Sequence, residues 1–233
     1  MTERTSIRPE SGHGLERVIF FSDAVIAIAL TLLALELHAP AADPDRGVTM
    51  LADFQEKLWH EYLSFVISFV VIAVFWFHHH RFFQQIAKLS NLLIYVNIGS
   101  LFAIVLVPFA TKVLPELGDT PYGPAFYASV MVLWGVMYVL MAIIAKRQKL
   151  WRDDAPPTAP SNMIFGACVS LGSFALSIPI AFVNPSFAMY FWITAWPIAR
   201  IGGLLRNRRR ARAGTAQPAD DVEQAEPQPQ PAR

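Results

Sequence analysis

Six stretches of roughly 20 apolar residues, separated by short polar segments, dominate the chain: Val18 to Leu37, Tyr62 to His79, Leu92 to Leu114, Ala125 to Ala145, Met163 to Val183 and Ser186 to Leu205. At about 1.5 Å of rise per residue, each can cross a hydrocarbon layer about 30 Å thick as a helix. None alternates apolar with polar positions, and each is about twice as long as a membrane β-strand needs to be. The pattern therefore predicts an all-α fold, a polytopic membrane protein with six transmembrane helices. The small residues Ala39-Pro40-Ala41 after the first run look like a signal cleavage site. That run is longer than the roughly 7 to 15 residues of a signal h-region and contains Asp23, so it reads as a retained span.

Composition agrees with the pattern. The chain has 233 residues, 54% of them hydrophobic and only 16% charged, where soluble domains carry about 25%. The net charge of +1 hides a sorting by loop. Arg4, Arg8 and Arg17 precede the first run; Arg81 and Lys88 follow the second; Lys146, Arg147, Lys149 and Arg152 follow the fourth. Arg200, Arg206, Arg208, Arg209, Arg210, Arg212 and Arg233 complete 16 on one side, against Arg46, Lys57 and Lys112 on the other. The positive-inside rule then places the N- and C-termini in the cytoplasm. Residues 1–16 form a cytoplasmic segment, 17–206 the six-helix domain, and 207–233 a basic then Pro-, Gln- and acid-rich tail with too little apolar content to fold. The Arg206 to Arg212 cluster reads as a topology anchor ahead of an anionic-lipid site. Cys168 is the sole cysteine, which excludes an internal disulfide.

The chemistry concentrates in the first run. A carboxylate inside a spanning helix costs roughly 2.5 to 3.5 kcal/mol near the bilayer centre unless it is paired, so Asp23 needs partners. Arg17 and Ser22 lie on its own helix, Trp76 and His79 at the inner end of the second, and Asn97 in the early turns of the third. All fall in one third of the membrane and can form a hydrogen-bonded network. The triplet His78-His79-His80 cannot converge on a metal, since adjacent helical residues diverge by about 100°. Thr120-Pro121-Tyr122-Gly123 sits in a loop too short for a pore helix and filter and reads as a turn. Pro108, Pro179 and Pro197 predict kinks. No nucleophile and base, phosphate-cradling loop, cofactor motif or nucleic-acid-binding pattern is present.

Arg17, Phe21, Ser22 and Asp23 form an R-x-x-x-F-S-D motif at the start of the first helix. Trp76 to Arg81 form a W-x-x-H-H-R end to the second, and Asn97 precedes Val107-Pro108-Phe109-Ala110-Thr111 in the third. In these motifs the chain resembles the transmembrane protein 175 family of potassium-permeable channels of bacteria, endosomes and lysosomes. With one copy of R-x-x-x-F-S-D, the resemblance implies a bacterial homotetramer in the cytoplasmic membrane, passing potassium or other monovalent cations. Four copies of the first helix would surround its pore. On a helical wheel Ile28, Thr31, Leu32 and Leu35 share a face about 100° wide, with Ser22 and Asp23 about 120° to 140° away from Ile28. The resemblance makes that face the pore lining and Ile28 the hydrophobic constriction. Two other readings stand beside it: a proton-coupled secondary transporter in which Asp23 and His79 titrate, and a membrane scaffold without transport activity.

Overall fold

Each of the first five apolar runs folds as a helix that begins ahead of its apolar limit, because the backbone keeps its hydrogen bonds while the side chains turn polar. The computed structural model describes residues 11–40, 49–189 and 191–192. α1 covers Ser11–Leu32 and continues as a tighter 3₁₀ segment, Leu33–Glu36. After a short α2 (Met50–Asp53) and a π-helical turn (Phe54–Leu58) come α3 (Trp59–Gln84), α4 (Asn91–Glu116), α5 (Tyr122–Arg147) and α6 (Ala159–Val183). Five helices are long and apolar enough to cross a membrane, and no strand occurs among the described residues. The sixth run is helical over 185–189 and 191–192, and the rest of it lies outside the described residues, as do Pro197, the Arg206 to Arg212 cluster and the tail.

Local chemistry sets the helix ends. The Ser90 hydroxyl caps α4 by accepting from the Leu93 amide at 3.2 Å, meeting a donor that the first turn leaves open. Arg81 in the last turn of α3, and Lys146 and Arg147 in the last turn of α5, place positive charge where the helix dipole is negative. α4 stays one helix through Pro108 and Pro115, and α6 through Pro179. Of the four residues predicted as a turn, Thr120 and Pro121 lie in one, the Thr120 hydroxyl donating to the Leu117 carbonyl at 2.7 Å, while Tyr122 and Gly123 already belong to α5.

α4 is the hub, packed against α1, α3 and α5, with α6 laid on α5. In lipid the hydrophobic effect does not draw helices together, so close packing and polar bridges must. Phe75 stacks on Trp134 with centroids 3.7 Å apart, and Trp134 stacks on Tyr138 at 5.2 Å. A Cβ on Gly135 would come within 3.2 Å of Leu171, so the glycine permits the close α5–α6 contact. At one end the α3–α4 and α5–α6 connections bond to each other, the Ala87 amide to the Leu150 carbonyl at 2.8 Å and the Arg152 amide to the Gln85 carbonyl at 2.9 Å. The basic residues of these two connections therefore share an end of the bundle.

Candidate functional site

α1 presents two opposite faces. Ser22, Ile26, Ala29 and Leu33, spaced four, three and four apart, are buried against the other helices of the chain. The other side is uncovered: Ile28 is 58% exposed, Leu32 39% and Leu35 78%, with Thr31, Ala24, Ala27 and Ala34 exposed alongside. The Thr31 hydroxyl donates to the Ile28 carbonyl at 2.8 Å. Its proton is thus used within the helix, and its oxygen lone pairs remain for a cation or water.

Behind the buried face, Asn97 joins three helices. Its Nδ2 donates to Ser22 Oγ at 2.9 Å, and its Oδ1 accepts from His79 Nε2 at 2.8 Å. Ser22 passes its own proton to the Val18 carbonyl at 2.8 Å. Because an amide oxygen can only accept, the bond fixes the proton on His79 Nε2. His79 Nδ1 is left buried without a partner. Asp23 belongs to a separate pair, in which Trp76 Nε1 donates to Asp23 Oδ1 at 2.9 Å. Ser22, His79 and Asn97 thus meet in one cluster, with Asp23 and Trp76 in another.

Arg17 and Phe21 join neither. Arg17 is exposed and makes no ion pair or hydrogen bond with Asp23 among the described residues. Six helical residues separate the two by about 9 Å along the axis and about 120° around it, which explains the gap. The histidine triplet diverges: His78 is exposed, His79 turns inward, and His80 bonds Gln84 Nε2 at 2.8 Å and stacks on Trp76. No metal-binding group of three His, Cys, Asp or Glu occurs among the described residues.

Two further clusters were not singled out from sequence. Ser68 Oγ lies 2.7 Å from Thr111 Oγ1 and 3.1 Å from the Tyr127 hydroxyl, so Ser68 on α3 bridges α4 and α5 in a buried cluster. The signal for it was available, since every polar side chain in an apolar helix needs a partner. At the far end of α1, Glu61 Oε1 accepts from the His38 amide at 2.6 Å and Glu61 Oε2 lies 3.1 Å from His38 Nδ1. Tyr62 donates to the His38 carbonyl at 2.9 Å, and Lys112 Nζ pairs with Glu36 at 3.0 Å. These contacts tie the end of α1 to α3 and α4.

Residues 17–108, which contain both α1 faces and the Asn97 cluster, match the family described as the endosomal/lysosomal potassium channel TMEM175. A potassium channel of Streptomyces collinus is 33% identical over 180 residues, spanning 72% of this chain and 82% of that protein. One of Chamaesiphon minutus is 30% identical over 190 residues, 75% and 92% of the two chains. The human endosomal/lysosomal proton channel TMEM175 is 23% identical over 135 residues, 57% of this chain and 26% of its own. The fold agrees with the crystal structure of a lysosomal potassium-selective channel TMEM175 homolog from Chamaesiphon minutus, with a TM-score of 0.67 at 24% identity over 83% of this chain and 98% of that one. The family match over residues 17–108, the shared helical fold and coverage of most of two relatives lead to one conclusion: this chain belongs to the TMEM175 family of ion channels.

Proposed function

We propose that the chain is a potassium-permeable leak channel of the bacterial cytoplasmic membrane, built as a homotetramer with α1 around the central pore. The observation that carries this reading is the uncovered Ile28, Thr31, Leu32 and Leu35 face, lying opposite the face that α1 buries in its own subunit. The exposed Ala24, Ala27 and Ala34 beside it let helices approach closely. A ring of four Ile28 side chains makes a narrow, poorly wetted constriction. Asp23, turned away and held by Trp76, serves the fold and the assembly rather than the ion. Both termini face the cytoplasm, as the basic loops require. The bacterial relatives named as potassium channels support the ion assignment.

Reconstituted protein should carry passive, non-saturating potassium current, and Ile28→Asn should raise conductance and reduce the preference for potassium over sodium. Silent bilayers, or an Ile28→Asn channel unchanged in both respects, would overturn the reading.

The proton-coupled alternative has one observation in its favour, the buried His79, and the animal relatives are named as proton channels. Against a relay between Asp23 and His79, the two bond to different partners, Trp76 and Asn97. Flux that saturates and requires a pH gradient would select the carrier.

A further inference from the structure

A cavity of about 370 Å³ opens between α3, α5 and α6, at the end of the bundle where the basic connections meet. Its α6 wall is made by Ala159, Asn162, Met163, Gly166 and Ala167, one helical face about 12 Å long. Ala159, Gly166 and Ala167 leave the gap because they carry little or no side chain: a Cβ added to Gly166 would meet nothing within 4 Å. Across it stand the Tyr138 ring of α5 and Arg81 of α3. Arg81 is exposed, with its guanidinium 5.4 Å from the Phe77 ring centre. No carboxylate pairs with it among the described residues. The start of α6, at Thr158 and Ala159, also borders the cavity, and a helix N-terminus adds partial positive charge.

The lining is mixed, with Arg81, His78, Gln85, Tyr138 and Asn162 alongside Pro156, Met163, Gly166 and Ala167, and an unpaired cation beside an apolar strip fits an anion that carries a hydrocarbon chain. In the orientation given under the proposed function, this end faces the inner leaflet. We propose that the cavity binds an anionic phospholipid of that leaflet, with its phosphate on Arg81 and an acyl chain along the Met163 to Ala167 face of α6. Arg81 is suited to the task because its planar fork of donors matches phosphate oxygens. A zwitterionic lipid offers the same phosphate but carries a compensating ammonium, so it fills the groove with a weaker pull toward Arg81.

The test is native mass spectrometry of the full-length, detergent-purified protein titrated with phosphatidylglycerol or phosphatidylcholine. A basic residue at an anionic surface contributes on the order of a five-fold preference, so phosphatidylglycerol should be retained at least that much better. Arg81→Gln should abolish the preference. Gly166→Leu, which fills the groove and leaves Arg81 in place, should lower retention of both lipids. Gly172→Leu, at an equally open position on α6 that does not border the cavity, should change neither. Inorganic phosphate at matching concentration should not displace the lipid.

An Arg81→Gln protein with wild-type preference overturns the proposal. Displacement by inorganic phosphate would make the site one for free anions and overturns it too. So does a several-fold rise in lipid retention on deleting residues 213–233, which would give the groove to the acidic tail with Asp220, Asp221, Glu223 and Glu226. The readout involves no ion flux, so a protein that binds the lipid but carries no current would sink the channel reading alone.

Discussion

Asn97→Leu is the sharpest probe of what holds α1 to its subunit. Leucine branches at the same carbon as asparagine, so both side-chain bonds, 2.9 Å to Ser22 and 2.8 Å to His79, are lost, and its bulkier methyl groups push these two partners apart. Ser22 keeps its bond to the Val18 carbonyl at 2.8 Å and suffers little. His79 suffers most, because its Nδ1 is already without a partner and its Nε2–H would join it inside a buried site. Side-chain hydrogen bonds between membrane helices average about 0.6 kcal/mol and reach about 1.7, and orphaning a buried donor costs about 1 to 3 kcal/mol. The substitution should therefore destabilise the subunit by about 1 to 3 kcal/mol, with the histidine as the larger share. Unfolding in mixed micelles, followed by far-UV circular dichroism, measures this directly. Adding His79→Leu removes the orphaned ring, so the double variant should recover about 1 kcal/mol or more relative to Asn97→Leu alone. A double variant whose losses simply add would refute the reasoning and assign the stability to the ring's contact with Phe83, 4.7 Å away between centroids.

Asp23→Ala should reduce the yield of the proposed tetramer in light scattering after gel filtration while leaving the potassium-to-sodium preference of the surviving channels unchanged; Trp76→Phe, which removes the donor together with part of the ring that stacks on His80, should also lower the yield. Gly135→Val should lower stability by about 1 to 3 kcal/mol in the same micelle titration, because Leu171 stands 3.2 Å from where a Cβ would sit and valine adds two methyl groups beyond it, whereas Gly166→Val should stay within about 0.5 kcal/mol. Tyr127→Phe should cost about 0.6 kcal/mol, since it breaks the 3.1 Å contact with Ser68 and leaves Thr111 in place as that hydroxyl's partner.

The helices were legible because lipid imposes one simple demand, a sufficiently long apolar run, and the runs meet it. Their ends were not. The helix containing Val18 starts at Ser11, and the one containing Met163 starts at Ala159, because hydropathy marks where the bilayer ends and not where backbone bonding stops. The depth shared by Ser22, Asp23, Trp76, His79 and Asn97 could be counted along the chain. Who bonds whom could not, since pairing depends on how each helix is rotated, and packing sets that rotation. Arg17 shows the difference: close to Asp23 in sequence, it sits on another side of the same helix. Ser68, Thr111 and Tyr127 show the reverse, three ordinary residues far apart in the chain that become partners only once α3, α4 and α5 assemble.

The change of helix type at Leu33 alters the outer third of the proposed pore wall. An α-helix turns about 100° per residue, but a 3₁₀ helix turns about 120°, so side chains three apart eclipse one another. Through the segment Leu33–Glu36, Leu35 comes to stand directly over Leu32, about 60° from where an unbroken α-helix would carry it. Ala34 comes to stand within about 20° of the line above Thr31. Each subunit then offers a two-leucine ladder beside a notch, roofed only by a methyl group, that opens onto the threonine oxygen. Four such notches would give an incoming hydrated cation a recess just outside the isoleucine ring, where it can trade part of its water for hydroxyl oxygens. A cysteine scan with a membrane-impermeant reagent should register the slip as a labelling period of about 3.6 residues up to Leu32 and about 3.0 beyond it.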